Sequence, residues 1–223
     1  MAHHQVGAVP QEGPALSRAR LPRSFFARPA VEVAPELLGR TLVRRMADDG
    51  RLAGRVVETE AYEPGDPASH GYRRMTARNA TMFGPPGRLY VYFTYGNHWM
   101  MNVVTRSSGE GSAVLVRALE PLEGLEVMAA HRGLDRLSAL CSGPGKLAQA
   151  LAVDRSFDGA DLVRGHGVWI ETGSPVDPSA VATSGRIGVN AGAERPWRFA
   201  VRGDPFVSRG RPRPASTRRR TTP

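Results

Sequence analysis

Two carboxylates, Glu58 and Glu60, lie two residues apart in the segment VVETEAY. On a strand both side chains stand on one face, about 7 Å apart along the backbone. A carboxylate can act as a general base, and burial or a like-charged neighbour raises its pKa toward a useful range. An ordinary solvated sheet face has the same spacing, so the pair alone leaves both readings open. Aromatic residues follow in LYVYFTYGNHWMMN, where Tyr90 and Tyr92 share a face and Tyr95 falls at the tip beside Gly96. An exposed ring at the tip of a ribbon suits a wedge between stacked bases. Rings beside a carboxylate also make a slot for flat, electron-poor rings, with a gain of roughly 0.5–2 kcal/mol for a cationic one. A half-buried sheet with cross-strand aromatic pairs would read the same way.

The intervening loop DPASHGYRRMTARN holds His70, which can wall a base pocket, bind a metal or sit on the surface. Its Arg73, Arg74 and Arg78 suit phosphate contacts or plain solvation. One cysteine and scattered histidines make no cluster at ligand spacing, so no metal is expected. Gly143-Pro144-Gly145-Lys146 resembles a phosphate loop but has Leu140 and Leu147 where that motif needs glycine and a hydroxyl, so it reads as a helix start. Cys141 has no partner that would make it a nucleophile and reads as a small buried residue.

The elements that must position these groups are legible in outline. Ser24 can cap a first helix, and Gly39 can end the next, APELLG. TLVRRM reads as a strand, ADDGRLAG as a turn and GRVVETEAY as a strand, followed by a polar loop from Glu63 to about Asn79. LYVYFTY and WMMNVVT form a hairpin through Gly96-Asn97-His98, and SAVLVRALE is a further strand. A helix is expected from Pro121 to Gly133, a short one over LAQALAV, and late strands in GVWIETG, GRIGV and WRFAVRG. Strands outnumber helices and hairpins connect them, which gives an α+β class with a largely antiparallel sheet.

The 223 residues and 41% hydrophobic content suit one globular domain. Residues 1–23 and 209–223 are expected to be disordered, flanking a domain over 24–208. No apolar run is long enough for a membrane helix and the N-terminus has no secretory signal. With a single cysteine, a cytoplasmic location is expected. The net charge of +9 resides largely in the ends, six arginines lying beyond Val207. The sharper clue is local: no acid occurs between Pro67 and Gly109, while Arg73, Arg74, Arg78, Arg88 and Arg106 do.

In order, RVVETEAY, DPASH, TARN, MFGPPGRLYVYFTYGNHWMMNVV, VLVRALEPLEG, CSGPGKLAQAL, RIGV and PWRFAVRGDPFVS resemble the alkyladenine (3-methyladenine) DNA glycosylase family, from about Ser24 to Ser208. The resemblance implies a single α+β domain with a curved, mainly antiparallel sheet, flanking helices and a protruding β-hairpin. It implies hydrolysis of the N-glycosidic bond of alkylated purines flipped from double-stranded DNA, without metal or organic cofactor, by a nucleoid-associated monomer. Glu60 would be the water-activating base, and Tyr62, His70 and Tyr92 the aromatic walls. Asn102 would police the purine edge, Tyr95 would enter the vacated stack, and Arg78 and Arg117 would serve DNA binding. Arg74-Met75, Asn97 and Met100 depart from the family's usual residues. The single lysine, Lys146, lies away from these motifs, so no Schiff-base lyase step is expected. The competing reading is a non-catalytic binder of distorted nucleic acid, for which a carboxylate near phosphates has no use.

Overall fold

The structure, a computed structural model, describes residues 18–94 and 96–210. The strands are β1 Thr41–Arg45, β2 Arg51–Tyr62, β3 Leu89–Thr94, β4 His98–Thr105, β5 Ser112–Glu123, β6 Val168–Glu171, β7 Val181–Ser184 and β8 Arg198–Val201. They form one curved antiparallel sheet in the order β3-β4-β5-β2-β1-β6, with a further pair, β7 and β8, joined to β2 through β8. The helices are α1 Arg23–Phe26, α2 Ala30–Glu36, α3 Leu125–Arg132, α4 Leu137–Leu140 and α5 Pro144–Ala150. The α+β class and the largely antiparallel sheet are as expected.

β2 is the spine. One edge pairs with β5 along its length, while the other pairs first with β1 and then, over Glu58–Glu60, with β8. Its register against β5 shifts at three places around Ala53 and Glu58. Such bulges bend a strand and re-aim its side chains, here at the stretch that carries the carboxylates. Gly54 sits in the first bend, where an added Cβ would lie 2.9 Å from Leu119 Cβ. The core lies between the sheet and α2, α3 and α5, around Val33, Leu52, Val56, Leu119, Met128 and Leu147.

Several boundaries differ from expectation. Ser24 lies within α1 and provides no side-chain cap. β2 begins at Arg51, inside the segment read as a turn, because Met46 N bonds to Gly50 O and closes the reversal early. The helix expected from Pro121 begins at Leu125, since Pro121 and Glu123 still pair with Gly54 and Ala53. Proline is tolerated in a strand at such an irregularity. GRIGV is not a strand: β8 has one edge on β2, and Val181–Ser184 takes the other. Residues 185–189 instead have no regular secondary structure. Within the expected arm 1–23, Leu21 is buried and its amide donates to Ile170 O, so packing already begins there.

Candidate active site

Along β2, Glu58, Glu60 and Tyr62 share a face, and the curvature turns it inward. Both carboxylates are fully buried, which removes the reading of a solvated sheet face. Glu60 Oε2 accepts from the Tyr62 hydroxyl at 2.9 Å and faces Arg117 Nη1 at 3.1 Å. Its Oε1 accepts from the Ile187 amide at 2.7 Å. Burial pushes the Glu60 carboxyl above the usual carboxylate range, against the opposing pull of Arg117, the Ile187 amide and Tyr62.

Glu58 behaves oppositely. Burial alone would raise its pKa, but Arg117 at 2.8 Å, Arg198 at 2.7 Å and the Ser208 amide at 2.7 Å outweigh it and hold the group low. Arg117, at 5% exposure, is thus a buried bridge between the two acids. Burial works against its charge and both carboxylates restore it, so its pKa is raised. Arg78, by contrast, is exposed and donates to Phe93 O at 3.0 Å.

In front of Glu60 lies a slot of about 460 Å³. Its aromatic wall is Tyr62, His70, Tyr90 and Tyr92, and Met82, Met100, Leu115 and residues 187–191 also line it. Tyr90 and Tyr92 do share a face on β3, with ring centroids 5.4 Å apart, and His70 stands edge-on to Tyr92 at 4.4 Å. His70 Nδ1 meets the Tyr90 hydroxyl at 2.9 Å, and Asn79 Nδ2 donates to His70 O at 2.7 Å, fixing ring and loop. Burial, and secondarily the nearby Arg78 charge, lower the His70 pKa and favour the neutral ring. Asn102 enters from β4, 4% exposed, and spends its amide on Tyr90 O at 3.2 Å. Glu60 itself is sealed behind its partners: Tyr62, Arg117 and Ile187 all line the slot, and the carboxylate touches it through them.

The fold therefore brings Glu60, Tyr62, His70, Tyr92, Asn102 and Arg117 to one place. Tyr95 lies outside the described residues. Next to the slot, sharing His70 and Tyr90, a hollow of about 410 Å³ is lined by Tyr72, Arg73, Arg74, Thr76 and Arg78 and by no acid. Lys146, on α5, is exposed and does not line the slot, although Pro144 does. Sequence reading missed Asp66, Arg186 and the Ile187 amide. The available signal was an arginine set in an otherwise apolar run, RIGV, with no acid nearby in sequence. Its partner Asp66 is 120 residues away and shows only in the fold.

Residues 24–205 match the methylpurine-DNA glycosylase family. A protein from Burkholderia lata is 51% identical over 193 residues, covering 85% of this chain and 91% of its own length. One from Carboxydothermus hydrogenoformans is 47% identical, covering 85% of this chain and 98% of its own. One from Agrobacterium fabrum is 47% identical, covering 85% and 92%. Each of these three is named "Putative 3-methyladenine DNA glycosylase". With a buried carboxylate behind an aromatic slot and a match of this extent, the chain belongs to the methylpurine-DNA glycosylase family, hydrolases of N-glycosyl bonds in DNA.

Proposed function

We propose that this protein flips alkylated purines out of duplex DNA and hydrolyses their N-glycosidic bond in a single step, leaving an abasic site. The observation that carries this reading is Glu60: an acid at the back of an aromatic slot, with burial holding its pKa up and three donors steadying its charge. A base in a duplex is out of reach of any side chain, and base flipping, a principle whose own examples include glycosylases, exposes it. The flipped purine stacks against Tyr62, Tyr92 and His70, with Asn102 meeting its edge. A ring made cationic by alkylation gains most from those faces and departs neutral, so it needs little help to leave.

Water then adds to the oxocarbenium-like sugar, its oxygen bonding to the anomeric carbon while Glu60 takes the proton. The Glu60 charge also stabilises the cation forming on the sugar. For this, residues 187–191 admit water to the sealed carboxylate, whose Oε1 keeps a second lone pair. Tyr95 fills the vacated stack, Arg117 steadies the acids, and Arg73, Arg74 and Arg78 meet phosphates. The exposed Lys146 offers no amine in the slot, which supports hydrolysis without strand cleavage. The protein acts as a monomer and uses no metal or organic cofactor.

The test is base release from duplexes each carrying one 3-methyladenine, 7-methylguanine, hypoxanthine or ethenoadenine, beside a folded Glu60→Gln variant. The wild type releases bases from at least one duplex, and the variant loses about 10²–10⁴ in rate while still binding. Release by Glu60→Gln at the wild-type rate, or a product trapped by borohydride, contradicts the reading.

A further inference from the structure

Arg186 is the largest fully buried side chain of the described residues, yet it takes no part in the proposed reaction. Its guanidinium pairs with both oxygens of Asp66, itself fully buried, with Nη2 at 2.9 Å from Oδ1. Nη1 also donates to Ala61 O at 3.0 Å, and Nη2 to Gly192 O at 3.0 Å. One side chain so ties together β2, the loop after it and the far end of the 185–192 turn. Gly192 has a φ of +64°, and an added Cβ would lie 3.1 Å from Arg186 Nη2, so the turn closes tightly over the cation. The planar group stacks on Tyr62 at 4.7 Å and on Trp197 at 5.2 Å from the ring centroids.

The consequence reaches Glu60 by two routes. Arg186 directly precedes Ile187, whose amide donates to Glu60 Oε1. It also backs the ring of Tyr62, whose hydroxyl donates to Oε2. Of the three donors on that carboxylate, Arg117 comes from β5 and makes no contact with Arg186, whereas the Ile187 amide follows Arg186 in the chain and the Tyr62 ring, its backbone fixed in β2, packs against the Arg186 guanidinium. We propose that Arg186, locked by Asp66, is a positioning residue that sets the Ile187 amide and the Tyr62 hydroxyl on Glu60. The inference rests on Glu60 being the base. An apolar residue of similar size would fill the space, but it would not fork to three chain segments at once. The charged and titratable groups facing Glu60 are Arg117 from β5 and Glu58 and Tyr62 from β2, while Arg198 from β8 engages Glu58. Arg186 stands behind Tyr62, so its loss removes a positive charge as well as two anchored donors.

Single-turnover base release, measured across pH on the duplex that the wild type processes fastest, tests this with Arg186→Lys and Arg186→Met. Losing donors and positive charge disfavours the carboxylate form. Arg186→Met is expected to lose about tenfold in rate at neutral pH and to move the acid limb up by about one pH unit. Arg186→Lys, which keeps the charge but not the fork, falls between. A folded Arg186→Met with a lowered Tm but the wild-type rate and acid limb overturns the inference. If Arg186→Met does not fold, Arg186→Lys decides: a wild-type rate and limb overturn it. Glu60→Gln run alongside separates the two ideas, because release retained in that variant defeats the Glu60 reading itself.

Discussion

Glu58 and Glu60 share one guanidinium, with Arg117 Nε 2.8 Å from Glu58 Oε1 and Nη1 3.1 Å from Glu60 Oε2. The two acids stand on the same strand, equally buried, yet their pKa values are driven apart. The difference lies in the remaining partners. Glu58 has a second arginine, Arg198, and the Ser208 amide and hydroxyl, whereas Glu60 has only the neutral Tyr62 and Ile187 donors. Titratable neighbours separated in this way mark acid–base sites. Glu58 anchors Arg117, and Glu60 is left able to take a proton.

Stability should register the two acids with opposite sign. The folded pKa of Glu58 is lowered, so its contribution is present above the unfolded carboxylate value and lost as pH falls through the folded one. Glu58→Gln is expected to cost about 3 kcal/mol at neutral pH, by leaving Arg117 and Arg198 under-paired, and progressively less in acid. The folded pKa of Glu60 is raised, so its contribution is present below the unfolded value and lost as pH rises through the folded one. The cost of Glu60→Gln, which also takes a carboxylate from Arg117, should therefore be smaller than that of Glu58→Gln and should shrink as pH rises. Urea midpoints across pH for both variants check this, and a cost of Glu60→Gln that grows with pH would contradict it.

Catalysis should carry the same signature. If Glu60 acts as the base, as an anion whose pKa burial holds above the ordinary range, base release should fall on acidification earlier than an exposed glutamate would dictate. Single-turnover rates against pH locate that limb.

Tyr90 reaches His70 Nδ1 with its hydroxyl at 2.9 Å, and Tyr90 is 1% exposed. Tyr90→Phe keeps the ring stack but removes that bond, at an expected cost of about 1 kcal/mol in stability. A freer His70 wall should lower base release several-fold with binding of undamaged duplex unchanged. Equal release by the variant would show that the bond does not hold the wall.

The arginine hollow beside the slot should govern salt dependence. Replacing Arg73, Arg74 and Arg78 together with alanine should weaken binding to all duplexes alike and reduce the slope of log affinity against log salt by about 2–3. An unchanged slope would remove these residues from the DNA interface.

If Tyr95 props open the stack, Tyr95→Ala should slow release from duplex DNA much more than from the same lesion in a single strand, where no stack closes behind the base. Equal losses on both substrates would assign the ring another role.

Much of this protein was determined by sequence that acts locally. Alternation along VVETEAY put Glu58 and Glu60 on one face, and Gly96-Asn97-His98 between two β-rich runs produced the β3–β4 hairpin. Three residues between paired Thr94 and His98 leave the chain little choice there. Pattern could not tell whether that acidic face met water or the interior, because burial depends on the curvature from bulges against β5 and on the arrival of Arg117, Arg198 and residues 185–192. It also failed at GRIGV, whose alternation suits a strand, because β7 had already taken the free edge of β8. Only the tertiary structure brings Arg186 to Asp66 and thence to the back of Tyr62. A buried cation is tolerable solely where distant chain segments converge to neutralise it, and no local pattern encodes that convergence.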